Sequence, residues 1–269
     1  MISVDTFDVV MSESSSKGNQ RKFYKDGYWV KVDNADSFEG LAEEFTSNLE
    51  SLILNFPYVE YRSELFSLNG KVYKGCYSYN MYKSVNVSFI SLRRLFRSNN
   101  IKLNIFVKEE DVALNIQNVI NAVYKLTSVD ITNYLFRLLL LDALIINEDR
   151  HYMNLGVCTD GNAFAEAETF DNGSSLFCTD WTYRPDKTFE ENIQRAKSVA
   201  RPFSKFFDKQ VDACIRLGAK PLLINKTGLD YLLKNYHNNL YSDEQNLLIK
   251  SVLKNKLQYY YGKGVYQFV

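Results

Sequence analysis

Residues 146–157 read INEDRHYMNLGV and decide which fold we expect for this chain. They follow the most apolar stretch of the sequence and place Asp149 and Asn154 in one short polar segment. Residues 170–173 read FDNG and supply a second acid, Asp171, 22 positions after Asp149. A predicted hairpin separates the two segments. Each segment alone is compatible with a solvated turn, but that interpretation does not explain why both occur in this order.

The residue types in the two segments fit ATP-dependent phosphoryl transfer. One carboxylate, Asp149, would orient an attacking hydroxyl and accept its proton. An amide oxygen and a second carboxylate, those of Asn154 and Asp171, would hold Mg²⁺ against the phosphates, because hard cations prefer oxygen ligands. Gly173 is expected to let the backbone turn sharply beside the metal. This interpretation requires an ATP-binding lobe earlier in the chain.

The upstream sequence contains candidates for the parts of such a lobe. Residues 16–22 read SKGNQRK, a polar loop whose backbone amides could cover phosphates. Lys31 lies in the apolar strand YWVKVD and is the candidate contact to the α- and β-phosphates. The following helix offers Glu39, Glu43 and Glu44 as partners that would hold this lysine in position. We predict that Glu43 is the partner, with the other two as alternatives.

Turn signals and hydrophobic periodicity divide the chain into two parts. Strand pairs are predicted at 21–25 with 28–33, at 59–68 with 71–79, and at 155–158 with 163–167. Helices are predicted at 37–54, 88–97, 111–125 and 130–146, with weaker ones between 190 and 261. The first helix is expected to have its N-cap at Ser37 or Asp36. The pattern predicts an α+β chain with a small β-rich N-lobe containing one main helix (1–82) and a larger helical C-lobe (83–269).

Composition excludes several other functions. The 32 basic and 32 acidic residues give a formal net charge of zero, so neither nucleic acid nor a membrane surface is an expected partner. The four cysteines do not have the spacing of a metal site. With only two histidines, the chain offers few candidates for the catalytic histidine of a serine hydrolase. The N-terminus lacks the basic start of a signal peptide, and Asp142 interrupts the most apolar stretch. We therefore expect a cytoplasmic protein without a membrane span.

Four motifs in this order resemble the HipA-like kinases, an atypical branch of the protein-kinase-like fold. SKGNQRK is similar to the family's Gly-x-Gln-x-Lys phosphate loop, and WVKVD to its lysine strand. EDRHYMN is similar to its Asp-Arg-His-x-x-Asn catalytic loop, and FDNGSSL to its Asp-x-Gly-x-Ser-Leu metal loop. The matched motifs span residues 16–176. Asn172 stands where typical protein kinases carry Phe, so a switch based on that aromatic ring is not assumed.

The resemblance implies a serine/threonine protein kinase that uses ATP and Mg²⁺. It implies catalytic roles for Lys31, Asp149, Asn154 and Asp171, with Asn154 and Asp171 on the metal. The ATP contacts it implies are Ser16, Gly18, Asn19, Gln20, Lys22 and Lys31, with Glu43 supporting the lysine. His151 is expected to brace the catalytic loop. Protein Ser or Thr hydroxyls are the expected acceptors, including the chain's own Ser14, Ser15 and Ser16.

Two alternatives remain open at this stage. The chain could be a pseudokinase or regulatory binding module, or a lipid or small-molecule kinase, since similar loops occur in phosphoinositide kinases. Toxin-type members of the family carry an additional N-terminal subdomain and pair with a DNA-binding antitoxin. About fifteen residues precede the phosphate loop here, so the chain resembles the short, free-standing members, and nothing in the sequence supports an antitoxin-like partner. The segment RPFS, at 201–204, either anchors the helical lobe, borders the substrate groove, or starts a helix with a buried Phe203, and the helix start is the preferred interpretation.

Overall fold

The computed structural model describes residues 1–10, 20–80, 87–101, 112–179 and 183–269. Within them, six N-terminal strands form one sheet: β1 (Ile2–Ser3), β2 (Asp8–Val10), β3 (Arg21–Lys25), β4 (Tyr28–Val32), β5 (Tyr61–Leu68) and β6 (Lys71–Tyr79). Their spatial order is β1-β5-β6-β4-β3-β2. Strand β1 runs parallel to β5, and the other neighbours are antiparallel.

Two tight turns join the central strands of this sheet. Asp26-Gly27 connects β3 to β4, and Asn69-Gly70 connects β5 to β6. All four residues have positive φ, between 50° and 85°, as the turns that match the twist of a hairpin require. Both predicted N-terminal hairpins are therefore confirmed.

Helix α1 (Glu39–Glu50) lies against the sheet and buries Leu41, Phe45 and Leu49. It approaches strand β6 so closely that a Cβ added at Gly40 would come within 2.7 Å of the Gly75 carbonyl carbon. Only a residue without a side chain fits there.

The prediction of an N-cap at Ser37 or Asp36 is wrong. Residue Phe38 occupies the N-cap and makes no side-chain capping bond. Instead, the Gly40 amide in the first turn donates to Asp33 Oδ1 at 2.8 Å. Asp33 directly follows strand β4. A side chain from the sheet therefore accepts the hydrogen bond of a first-turn amide that a capping side chain would otherwise accept.

The remaining elements form the helical lobe. Its helices are α2 (Leu92–Ser98), α3 (Val112–Thr127), α4 (Thr132–Ile145), α5 (Phe189–Arg195), α6 (Phe207–Arg216), α7 (Lys226–Asn235) and α8 (Asp243–Tyr260). Its strands are β7 (Ser88–Ser91), β8 (Gly156–Thr159), β9 (Phe164–Glu166), β10 (Leu222–Ile224) and β11 (Tyr266–Phe268). Helix α4 is buried on nearly all sides and packs against α6 and α8, which explains why its sequence is so apolar.

The predicted helix at 88–97 is partly wrong. Residues Ser88 to Ser91 form strand β7, which pairs with β8 from Ser88 opposite Thr159 to Ser91 opposite Gly156. The helix begins only at Leu92, where the Ser91 hydroxyl accepts a hydrogen bond from the Arg94 amide at 3.2 Å. Pairing with a strand more than 60 positions later is invisible to local periodicity. The predicted hairpin around Asp160-Gly161 is present as β8 and β9.

Together, these elements confirm an α+β chain with a sheet lobe, one helix packed on it, and a larger helical lobe. The four cysteines are free thiols. Among the described residues, no helix is long and apolar enough to cross a membrane.

Candidate functional site

Lys31 lies where the two lobes meet. Along strand β4, Val30 and Val32 point into the sheet core, and the alternation of side chains places Lys31 on the opposite face. Its ammonium nitrogen Nζ lies 2.5 Å from Glu43 Oε1 and 2.5 Å from Asp171 Oδ1. One lysine from the sheet thus contacts a carboxylate of α1 and a carboxylate of the helical lobe.

The charge state of Lys31 follows from these contacts. Burial by itself would lower the pKa of Lys31, but the carboxylates of Asp171 and Glu43 outweigh it and hold that pKa well above its usual value. The ring of Tyr61 adds a cation–π contact at 4.9 Å. The lysine is therefore a permanent cation at this position.

The three candidate glutamates of α1 have different surroundings. Glu43 is fully buried, and besides Lys31 it accepts a hydrogen bond from the Asn172 amide at 2.9 Å. Glu44 instead accepts hydrogen bonds from the Tyr236 hydroxyl and the Asn238 amide of the helical lobe. Glu39 accepts from Ser37 Oγ at 3.1 Å. Of the three, Glu43 is the one in contact with the lysine.

Hydrogen bonds made by backbone and side-chain amides hold the polar loop that follows α4. Helix α4 is followed by Ile146, the C-cap residue, whose φ is 52°, and the Asn147 amide donates back to the Asp142 carbonyl at 3.0 Å. Asn154 Oδ1 accepts from the His151 amide at 2.8 Å, and Asn154 Nδ2 donates to the Asp149 carbonyl at 3.2 Å. These bonds fix the backbone on both sides of Asp149.

The Asp149 carboxylate faces two basic side chains. Its Oδ1 lies 3.3 Å from Arg201 Nη1, and its Oδ2 lies 3.7 Å from His151 Nε2. Sequence analysis missed Arg201: residues 201–204 do not start a helix, since α6 begins at Phe207, although Phe203 is buried as expected.

Asp171 has a left-handed backbone, with φ of 63°. Gly173 lies in a turn with Ser174, as expected, but outside the left-handed region, so this turn does not require the conformational freedom of glycine. A Cβ added at Gly173 would lie 3.3 Å from the Glu39 side chain, which is a tight contact. An aspartate in this conformation is uncommon and is typical of sites where a side chain must point in a particular direction.

The Asp171 carboxylate contacts two lysine ammonium groups. Besides Lys31, its Oδ2 lies 3.6 Å from Lys22 Nζ, and the strand register places Lys22 directly opposite Lys31. Burial alone would raise the pKa of Asp171, but Lys22 and Lys31 outweigh it and hold that pKa well below its usual value. The side chain remains 25% exposed, so solvent reaches this carboxylate.

A buried ion pair beneath the site was not predicted. Arg150 and Asp142 are both completely buried, with Arg150 Nη2 3.0 Å from Asp142 Oδ1. Arg150 also donates to the Phe170 carbonyl at 2.8 Å and to Asn172 Oδ1 at 2.6 Å. The arginine therefore ties α4 to the segment that carries Asp171. One signal was available in the sequence: Asp142 is the charged residue that interrupts the apolar helix, eight positions before Arg150.

Glu148 is a second buried acid that sequence analysis did not single out. Burial raises its pKa to about 8, the neighbouring Asp149 adds to the increase, and Arg201 opposes it. Within the described part of the chain, its Oε1 has no hydrogen-bond partner. Near neutral pH, this side chain is therefore largely uncharged.

The predicted phosphate loop is described only at its end. Ser16, Gly18 and Asn19 lie outside the described residues, as do Ser14 and Ser15. Gln20 precedes strand β3, and its Nε2 is buried without a partner among the residues that the structure describes. Lys22 lies within β3 and contacts Asp171. Of the predicted ATP contacts in this loop, Gln20 thus offers a buried donor and Lys22 a cation.

The oxygen donors present suit a hard cation. Asp171 offers a partly exposed carboxylate, and Asn154 an amide oxygen with a second lone pair beyond its bond from His151. Groups of three or more His, Cys, Asp or Glu side chains able to hold a metal are absent from the described ranges. Mg²⁺ in nucleotide sites is commonly bound by one or two protein oxygens plus phosphates and water, so this donor set fits it.

Comparison with solved structures finds similarity in fold over nearly the whole chain. The chain is similar to the crystal structure of a Helicobacter pylori proinflammatory kinase, CtkA, with a TM-score of 0.64, 14% identity, and coverage of 96% of this chain and 95% of that one. A MAP kinase from Leishmania major, LmaMPK10, aligns with a TM-score of 0.30 and 12% identity over 97% of this chain and 84% of that one. The first match shows that this chain has a protein-kinase fold. No family model and no curated protein sequence matches it.

Proposed function

We propose that the chain is an ATP- and Mg²⁺-dependent phosphotransferase, and specifically a HipA-like serine/threonine protein kinase. One observation carries the proposal: Lys31 of the sheet lobe contacts Glu43 of α1 and Asp171 of the helical lobe at the same time. Phosphoryl transfer needs a lysine held by a helical glutamate and placed next to the metal-binding aspartate. The similarity of fold to a protein named as a kinase supports the same conclusion.

The chain's own residues have separate tasks in this reaction. Lys31 binds phosphate oxygens of ATP, and Gln20 and Lys22 offer further donors at the edge of the same sheet. Asp149 accepts the proton of a Ser or Thr hydroxyl while the hydroxyl oxygen bonds to the γ-phosphorus. The bond from that phosphorus to the β–γ bridging oxygen breaks, and ADP leaves. His151 and Arg201 orient the Asp149 carboxylate.

Asn154 and Asp171 are the residues that would hold Mg²⁺. A bound Mg²⁺ would neutralise charge on the phosphates during transfer. Without it, Lys22 and Lys31 neutralise the Asp171 carboxylate. Within this proposal, residues 1–82 form the ATP-binding lobe and residues 83–269 the catalytic lobe.

The test is transfer of label from γ-labelled ATP by the purified protein with Mg²⁺. Protein, phosphoinositide and aminoglycoside acceptors are offered in parallel, and we expect label on Ser or Thr of protein. Asp149→Asn should reduce transfer about 10³-fold or more, because it removes the base. Asp186→Asn, at an exposed position, serves as the matched control and should transfer normally.

Two results would change this conclusion. Label on lipid or aminoglycoside alone would retain the phosphotransferase and reject the protein substrate. Equal transfer by Asp149→Asn and the wild type would reject the assigned base.

A nucleotide-binding module without transfer activity is the second candidate. The observation that favours it is the 3.3 Å contact between Arg201 and Asp149, since this contact occupies one oxygen of the carboxylate that a kinase would use as its base. This candidate predicts ATP binding, measured by calorimetry with Mg²⁺, and no label on any acceptor. The proposed kinase predicts both binding and label.

A further inference from the structure

Helix α2 carries a cluster of exposed arginines beside the catalytic loop. Arg93, Arg94 and Arg97 line an open pocket of about 990 Å³. The described residues that complete its lining are Phe89, Ser91, Ser98 and Met153. We call this the arginine pocket.

Hydrogen bonds fix the arginine pocket relative to Asp149. The Arg93 amide donates to the Tyr152 carbonyl at 2.9 Å, and the Leu92 amide donates to the Leu155 carbonyl at 2.7 Å. Met153, which lines the pocket, follows Asp149 by four positions, so their Cα atoms are no more than about 15 Å apart. An extended peptide covers that distance in about four to five residues.

Among the residues that the structure describes, no acidic side chain pairs with any of these three guanidinium groups. Arginines that do lie within 4.0 Å of a carboxylate, such as Arg150 and Arg201, are outside the pocket lining. Three adjacent positive charges with no acidic partner in the described ranges create a local field that attracts an anion. Guanidinium groups bind carboxylates especially well, because both groups are planar and form paired hydrogen bonds.

The surroundings favour a peptide over nucleic acid as the occupant. The chain has no net charge, whereas binding a phosphate backbone normally needs an extended basic surface. Phe89 and Met153 give the pocket apolar walls, which suit the aliphatic parts of acidic side chains. A short segment with a few carboxylates matches both features.

We propose that the arginine pocket binds an acidic segment of the protein substrate. It would then select Ser or Thr acceptors that have Asp or Glu about four to six positions away. This inference rests on the proposed function for the identity of the acceptor, but peptide binding tests it separately from phosphate transfer.

The experiment uses two fluorescein-labelled peptides that differ only in charge. Each has a central Ser, with Glu at four to six positions on either side in one peptide and Gln at the same positions in the other. We expect the wild-type protein to bind the Glu peptide about tenfold more tightly in fluorescence polarisation, and the difference to shrink in high salt.

Three variants test whether the arginines cause this preference. Replacing Arg93, Arg94 and Arg97 together by Gln should abolish the preference for the Glu peptide, whereas replacing all three by Lys should retain most of it. Arg216→Gln, at an exposed position on α6, is the matched control and should behave as wild type. In transfer assays, the triple Gln variant should raise KM for the Glu peptide about tenfold with little change in kcat.

Several results would overturn the inference. These are equal binding of the two peptides by the wild type, an unchanged preference in a folded triple Gln variant, or displacement of the Glu peptide by single-stranded RNA at a lower concentration than by unlabelled Glu peptide. If the Glu peptide binds as expected but no acceptor is phosphorylated, the pocket is supported and the proposed function fails.

Discussion

Two charged clusters lie side by side in this chain and differ in their access to solvent. The closed cluster consists of Asp142, Arg150 and Asn172, and the open cluster of Lys22, Lys31, Glu43 and Asp171. The ion pair of the closed cluster is completely buried. In the open cluster, the side chains of Lys22 and Asp171 are 28% and 25% exposed. The clusters meet because Asp171 and Asn172 are consecutive, and the Asn172 amide also donates to Glu43.

The comparison shows how similar charges serve different purposes. Arg150 uses a planar group with several donors, and its partners are two side chains and one backbone carbonyl. Such a fixed geometry suits a permanent structural link. Lysines are point charges on flexible chains, which can exchange a carboxylate oxygen for a phosphate oxygen. We therefore interpret the closed cluster as support and the open cluster as the binding site.

The largest expected effect comes from Asp171→Asn in the open cluster. Transfer from ATP should fall about 10³-fold or more, because the change removes the proposed metal ligand and one of the two anionic partners of Lys31. The thermal unfolding midpoint should move by only a few degrees. Asp230→Asn, at an exposed position on α7, is the control and should keep full activity. Full activity in Asp171→Asn would show that Asp171 is not part of the active site.

The next effect comes from Arg150→Met in the closed cluster. It leaves Asp142 buried and unpaired, which should lower the free energy of unfolding by about 3–5 kcal/mol in urea titrations. Adding Asp142→Leu should restore most of that stability, because the uncompensated charge is then gone. If the double variant also regained full transfer activity, the closed cluster would not be positioning Asp171, and our comparison would be wrong.

Glu148 gives a smaller effect that depends on pH. Its pKa is about 8 in the folded chain and near 4.5 when unfolded, so the folded state holds an extra proton between these values. Stability from this group is therefore present at low pH and is lost as pH rises from about 5 to 8. Between about pH 5 and 8, the unfolding free energy of Glu148→Gln should fall by roughly 1 to 3 kcal/mol less than that of the wild type. Parallel curves for the two proteins would contradict the buried, neutral side chain.

The smallest effect concerns the attachment of α1, which carries Glu43 of the open cluster. The Tyr236 hydroxyl donates to Glu44 Oε1 at 3.0 Å, and its ring packs edge-on against Phe45. Tyr236→Phe keeps the ring and removes the hydrogen bond, so unfolding free energy should fall by about 1 kcal/mol. Tyr124→Phe, on an exposed tyrosine of α3, should change it by much less. Equal losses in both variants would indicate that this contact does not hold α1.

Local sequence signals predicted much of the fold. Asp26-Gly27 and Asn69-Gly70 marked hairpins because few residue pairs adopt positive φ at both central positions of a turn. Helix α4 was predictable from its long apolar run. Strand β7 was not, because its pairing with β8 depends on residues far along the chain. The left-handed conformation of Asp171 was not predicted, because the sequence marked Gly173 as the residue with the freedom to turn.

What the sequence by itself determined is the set of chemical groups and their order: a lysine strand, a glutamate helix, a polar loop and an acidic turn. Local turn and periodicity rules also determined most helix and strand positions. The tertiary structure decided which groups meet: Glu43 rather than Glu39 or Glu44 on Lys31, Lys22 on Asp171, Arg150 on Asp142, and Arg201 on Asp149. These pairs depend on how two lobes pack, and packing depends on contacts between distant residues that local patterns do not encode.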